Sequence, residues 1–166
     1  MKNLLLAFIV SLLFFSCTEK ENSRVIYIVR HAEKEAVQDP DPELSPEGEE
    51  RAAKLAQILK EQDIQAIYST DYKRTQLTAQ PTAAQVGIGI ESYDPRNHDA
   101  LVELLKKSEG NSLVVGHSNT VSRLANYFVG EGENFEDLQD SEYDFIYEVH
   151  LHSEGNTVLR KVYADY

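Results

Sequence analysis

Arg30 and His31 stand side by side where the apolar run "VIYIVRHAEK" (Val25–Lys34) stops. A guanidinium presents a planar fork of donors that matches two oxygens of an oxyanion at once. An imidazole is a competent covalent nucleophile when it is neutral. Two further segments carry the same residue types: Arg74 in "IYSTDYKRTQLTA" and His117 in "LVVGHSN". Two guanidiniums near one point repel unless an anion joins them. Converged, the four groups would therefore hold a tetrahedral oxyanion such as a phosphoryl group, with one imidazole placed to attack phosphorus. For that role His31 must be neutral, and neighbouring Arg charge moves its pKa in that direction. Its second ring nitrogen must donate to an acceptor, so that the attacking nitrogen carries the lone pair. His117 would donate to the phosphoryl oxygens, a task best done as the cation.

The elements that must bring them together are readable as strands alternating with helices. "RVIYIV" (Arg24–Val29) is β-branched and apolar without polar alternation, as a strand covered on both faces requires. Ser45-Pro46 opens a helix, with Ser as N-cap, Pro at the first helical position, and Ala52, Leu55, Ala56 and Leu59 as the apolar stripe. "QAIYST" (Gln65–Thr70) reads as a second strand, followed by a helix that Pro81 is expected to kink or divide. "IGIESY" from Ile88 reads as a third strand, and Ala100–Lys107 as a helix closed by Gly110. "SLVVGH" (Ser112–His117) is a fourth strand, and a helix over "SNTVSRLANYFVG" ends at Gly130. Tyr143 to Leu151 alternates apolar with polar residues, as in a strand with one face to solvent, and Thr157–Tyr163 is a final strand after a turn at Gly155-Asn156. Such alternation implies an α/β class, a three-layer α/β/α sandwich with a mostly parallel mixed sheet. Ligands of such sheets sit beyond the C-terminal strand ends. Arg30-His31, Ser69–Arg74, Asp94 and Gly116-His117 each follow one of the first four strands, so they leave the sheet by one edge.

The chain has 166 residues, enough for one domain with its own core. A formal charge of −12 argues against nucleic acid as a partner and against electrostatic adhesion to anionic membranes. The single cysteine excludes a disulfide framework and a Cys-based zinc site. "MKNLLLAFIVSLLFFSC" opens with Lys2, runs apolar from Leu4 to Phe15, and is too short to span a bilayer. It reads as a lipoprotein-type signal over residues 1–16, cleaved before Cys17, whose acylated thiol would anchor the chain. Phe14 and Phe15 depart from the smaller residues usual there, and a plain signal peptide is the alternative. Residues 17–23 would be a polar tether and 24–166 the catalytic domain, exported and attached to a bacterial membrane on the periplasmic or cell-surface face.

"VRHAEK", "LSPEGEERAAKLAQIL", "IYSTDYKRTQLTA" and "LVVGHSN", in that order from about Val25 to Ala125, resemble the histidine phosphatase superfamily, the phosphoglycerate-mutase-like fold, and within it the small phosphohistidine-phosphatase-like branch. The resemblance implies transient phosphorylation of His31, with Arg30, Arg74 and His117 gripping the phosphoryl group and water completing hydrolysis. It implies no metal and no organic cofactor. It also implies a carboxylate near the leaving oxygen: Asp94 in "ESYDPRN" matches best by position, with Glu33 and Glu91 as alternatives. Ala32 replaces a glycine common in the family, and Val37 stands where many members carry a phosphate-binding Asn. Only 19 residues separate Arg74 from Asp94, too few for the lid of a mutase, so the site should be open. The expected substrate is a phosphorylated small molecule or phosphoprotein. A silent, surface-tethered phospholigand-binding protein of the same fold is the rival reading.

Other candidates have plainer explanations. Glu148, His150 and His152 lie at period two, as metal ligands might, but a solvated sheet face accounts for them. His98 reads as a surface residue near the site mouth. The acidic, Pro-rich segment Glu33–Glu50 reads as a solvated loop that would disfavour polyphosphates.

Overall fold

The computed structural model describes residues 23–130, 132 and 134–166. The expected signal peptide and Cys17 lie outside the described residues. The sheet has the order β3-β2-β4-β1-β5-β6, with β1 (Arg24–Arg30), β2 (Ile64–Ser69), β3 (Glu91–Ser92), β4 (Asn111–Gly116), β5 (Phe145–Leu151) and β6 (Thr157–Val162). β1 to β4 run parallel, while β5 and β6 are antiparallel additions beside β1. Period-two alternation on β1 divides the core between two faces. Ile26 and Ile28 join Val114, Leu101, Leu105 and Leu124 under α3 (His98–Lys107) and α4 (Val121–Asn126). Tyr27 and Val29 join Leu113, Val115, Leu55, Leu59 and Ala79 under α1 (Pro46–Leu59) and α2 (Lys73–Val86). These are the three layers expected.

Several elements depart from the sequence reading. α2 is not divided at Pro81. Thr75, Thr78 and Ala79 before the proline, and Thr82 and Ala83 after it, are all buried, and this packing outweighs the lost backbone hydrogen bond. The third strand shrinks to two residues on the sheet edge, with Ile88 and Ile90 packing on the core without joining the ladder. α3 starts earlier, at His98, because Asn97 caps it through the Ala100 N–H; it ends at Lys107 as expected, with Ser108 rather than Gly110 closing it. α4 is only six residues long and starts at Val121, because the Thr120 hydroxyl accepts the His117 N–H and holds residues 118–120 in a turn. β5 is interior rather than one-sided, since β6 covers its outer edge and Glu148 is buried between Lys161, Tyr166 and His150.

Gly48 shows how closely α1 packs on the exit of β1. Ser45 caps α1 through the Gly48 N–H, and its own N–H donates to the Glu33 carbonyl at 2.9 Å. A Cβ on Gly48 would lie 2.1 Å from that same carbonyl oxygen. Gly48→Ala should therefore destabilise the protein by about 1–3 kcal/mol through overpacking, although Ala has the higher helix propensity. Urea unfolding of the two proteins measures this, and equal midpoints would refute it.

Candidate active site

Strand register sets the site. β1 and β4 pair with Arg30 opposite Gly116, and the His31 N–H extends the ladder to the Gly116 carbonyl at 2.9 Å. Ser69 on β2 lies opposite Val115. These pairings place Arg30-His31, Thr70 and His117 at adjacent points on one sheet edge. The His31 and His117 ring centroids are 5.5 Å apart, edge to face. Gly116 leaves room beside these rings for two hydroxyls, since a Cβ there would meet that of Tyr93 at 2.8 Å and that of Thr120 at 2.9 Å. Arg30, His31, Arg74 and His117 line one open cavity of about 460 Å³, with Tyr72 and Arg96 among its walls.

Each of the four groups is held from behind. Arg30 Nη1 donates to the carbonyls of Gln139, Asp140 and Glu142 at 2.9, 3.1 and 3.0 Å. Its guanidinium carbon sits 3.9 Å from the centre of the Tyr143 ring, a cation–π contact. His31 Nδ1 lies 2.8 Å from the Ala32 carbonyl. A carbonyl only accepts, so Nδ1 carries the proton and Nε2 holds the free lone pair. His117 Nε2 lies 2.9 Å from the Thr70 hydroxyl, which lies 2.9 Å from that of Thr75. The Arg74 guanidinium carbon stacks 4.5 Å from the Tyr72 ring centre, and Nη1 is 3.4 Å from Asp41 Oδ1. Thr78 links two of these segments, accepting the Ala32 N–H at 2.9 Å and donating to the Arg74 carbonyl at 2.7 Å.

Both imidazoles are neutral over the physiological range. Burial is the largest cause of lowering the His31 pKa to about 3; the Ala32 carbonyl opposes it, while Arg30, His117 and Arg74 add to it. Burial, then Arg74 and Arg30, lower His117 to about 4. His117 in the free site is thus a neutral donor, not the cation expected. A neutral ring still has one N–H to give, and a bound dianion would favour its protonated form. The acid limb of kcat/KM should accordingly fall well below pH 6.5, the usual histidine value. Stability has its own sign. The unfolded chain binds protons at both histidines below pH 6.5 and the folded chain does not, so stability falls as pH drops from 6.5 towards 4 and is insensitive to these groups above 6.5. A pH–rate profile and thermal melts across pH 4–8 check both, and an acid limb at 6.5 would contradict them.

The candidate carboxylates stand elsewhere. Asp94 follows β3 as expected, but its exposed carboxylate accepts from Arg96 at 3.1 and 3.3 Å, and this partner holds its pKa below the usual range. Pro95 and Arg96 line the cavity, whereas Asp94 faces a neighbouring hollow together with Glu91. Glu33 accepts a bidentate pair from Arg51 at 2.6–3.0 Å; burial would raise its pKa, but Arg51 outweighs this and lowers it. Val37 is exposed and outside the cavity. His98 is half-buried at the start of α3, edge to face with Tyr127, and also outside the cavity. Because α4 begins beyond Thr120, the residues that follow His117, Ser118, Asn119 and Thr120, line the cavity as a turn rather than as the first turn of a helix. Sequence reasoning missed Thr70, Tyr72, Tyr143 and the Gln139–Glu142 carbonyls. Tyr72 and Thr70 lie within a quoted motif and were within reach, but the carbonyl cradle is 109 to 112 residues from Arg30 and carries no motif.

The profile of the histidine phosphatase superfamily (branch 1) matches residues 26–159. Proteins named probable phosphoglycerate mutase GpmB, from Shigella dysenteriae and Escherichia coli, are 32% identical over 125 residues, covering 69% of this chain. The chain spans 58% of the length of these curated relatives. The protein histidine phosphatase SixA complexed with tungstate superposes with a TM-score of 0.66 at 18% identity, over 85% of this chain and 98% of that one. A mycobacterial glucosyl-3-phosphoglycerate phosphatase gives 0.64 at 13% identity, over 84% and 98%. The fold is therefore that of the phosphoglycerate-mutase-like histidine phosphatases, and on the extent of the profile match this chain belongs to the histidine phosphatase superfamily.

Proposed function

We propose that this protein is a phosphomonoesterase that works through a phosphohistidine at His31, without a metal or organic cofactor. The observation that carries the reading is the Nδ1–H···O=C contact of His31 to Ala32, which leaves a neutral Nε2 lone pair in a cavity also lined by two arginines. In the first step Nε2 attacks phosphorus, and the P–O bond to the leaving group breaks with its electron pair on that oxygen. Arg30, Arg74 and His117 stabilise the charge that spreads over the equatorial oxygens. Water then attacks the phosphorus, the P–N pair returns to Nε2, and inorganic phosphate leaves. A phospholigand-binding protein would need the guanidiniums but not a free lone pair on a neutral imidazole.

The leaving oxygen must also gain a proton as the P–O bond breaks. Asp94 remains the proposed donor by its place after β3, but it must first part from Arg96. Turnover should therefore be fastest on esters whose leaving group departs without a proton. Aryl phosphates should exceed alkyl phosphates by about 10²-fold or more in kcat/KM, which is the usual worth of general acid catalysis. With the short connection from Arg74 to Asp94, hydrolysis is proposed over mutase chemistry, on a phosphorylated small molecule or phosphoprotein. Attachment to a membrane through acylated Cys17 is proposed from the sequence, and loss of labelling by a fatty-acid probe in Cys17→Ser would test it.

The deciding experiment uses the full chain purified in detergent. Phosphate release from p-nitrophenyl phosphate is followed with EDTA present, and the quenched protein is assayed for an acid-labile, alkali-stable phosphoryl group. Turnover insensitive to chelation with a trapped phosphohistidine is expected. Tight phosphate binding without release or a trapped intermediate would favour the binding protein instead.

A further inference from the structure

The acidic segment between β1 and α1 is more than a solvated loop. It doubles back on itself, with an antiparallel bridge between Lys34 and Leu44 and a Glu35 N–H to Glu43 carbonyl bond of 3.0 Å. Asp41, near its far end, turns towards α2. Its two carboxylate oxygens lie 3.1 and 3.3 Å from the Lys73 N–H, and Oδ1 also lies 3.4 Å from Arg74 Nη1. Tyr72, the residue at the N-cap position of α2, makes no capping bond, so a carboxylate more than 30 residues away takes that place. Pro40 and Pro42 flank Asp41, which restricts the backbone that carries it. The Asp41 N–H donates to Asp39 Oδ1 at 2.8 Å, and Glu43 pairs with Lys73 at 3.5 Å.

Among the four phosphoryl-directed groups, Arg74 stands apart in what holds it. Arg30 rests on main-chain carbonyls, His31 on a main-chain carbonyl and His117 on a hydroxyl. Arg74, stacked on Tyr72, is the one of the four that also meets a carboxylate, on a loop that lines the cavity through Asp39, Pro40 and Pro42. Stacking on a ring leaves a guanidinium free to rotate in its plane, and a carboxylate partner on one nitrogen sets the direction of its fork before the anion arrives. We propose that Asp41 is a positioning residue that holds Arg74 aimed at the phosphoryl site, and so makes the β1–α1 loop part of the catalytic apparatus. This rests on the reading of Arg74 as a phosphoryl ligand.

The test separates the acceptor from the charge. In Asp41→Asn the Oδ1 atom can still accept from both Lys73 N–H and Arg74, whereas Asp41→Ala removes both contacts. Binding of orthovanadate by calorimetry and kcat and KM on p-nitrophenyl phosphate are measured on the full chain, with thermal melts to confirm folding. Asp41→Ala should lose about tenfold to a hundredfold in orthovanadate affinity and fall in kcat more than it rises in KM, the size expected for a misplaced catalytic group. Asp41→Asn should recover most of that loss. On an Arg74→Ala background, Asp41→Ala should add less than about twofold to the loss of orthovanadate affinity, because the two residues act as one unit. A role confined to capping α2 would lower the melting temperature without the kcat loss and would add fully on that background; either result overturns the proposal, as does Asp41→Asn as weak as Asp41→Ala. If wild type binds orthovanadate but releases no phosphate, the phosphatase reading fails while the calorimetric arm still decides this one.

Discussion

His31→Ala is expected to lower phosphate release from p-nitrophenyl phosphate by about 10⁴-fold or more, since removing the proposed nucleophile would disable the whole covalent route at once. The substitution leaves Arg30 in its cradle, Arg74 on Tyr72 and His117 on Thr70. Inorganic phosphate should therefore still bind, and the acid-labile phosphoryl group on the quenched protein should vanish. Replacement also removes a buried imidazole whose folded state disfavours the proton, so the mutant should lose less stability than wild type between pH 6.5 and 4. Residual activity above about 1% of wild type would assign the nucleophile elsewhere, because the general acid or water alone gives far less.

The second large effect is expected at Arg30, where the proposed phosphoryl contact and the fold share one side chain. Arg30 is 4% exposed, and three main-chain carbonyls spend their hydrogen bonds on its Nη1. Arg30→Ala should lower kcat/KM by about 10³-fold, the scale of a lost transition-state donor. It should also destabilise the protein by about 1–3 kcal/mol, because the Gln139, Asp140 and Glu142 carbonyls lose the charged donor of three part-buried hydrogen bonds and Tyr143 loses its cation. Arg30→Lys should recover part of the stability but little activity. One ammonium can meet a carbonyl, but it cannot serve the cradle and present a fork to the anion together. Denaturant midpoints and initial rates on the three proteins check this. An Arg30→Ala protein as stable as wild type would show that the cradle contributes nothing to folding.

The scaffold, and the residue types it brings to one sheet edge, were legible in the sequence because they depend on local order. A β-branched run ending in Arg-His, helix signals between strands, and a Gly-His pair after the fourth strand are each set by a few neighbouring residues. Parallel pairing of β1, β2 and β4 then places their ends side by side whatever the details of the helices. Features that depend on distant packing were misread. Pro81 announces a break in α2, yet burial on both sides carries the helix through it. Tyr143 alternates with its neighbours as a strand residue would, yet it precedes β5 and lies under Arg30.

The sequence by itself determined which groups meet, because strand order of the α/β type sends residues 30–31, 74 and 117 to one sheet edge. Only the tertiary structure decided in what state they meet. The tautomer and neutral charge of His31 come from burial and one carbonyl, and the setting of Arg30 comes from carbonyls at residues 139–142. Asp94 is withheld from the cavity by Arg96, and Asp41 is brought to Arg74 across a loop with no motif. Electrostatic state and orientation are sums over everything nearby in space, and most of what is nearby in space is remote along the chain.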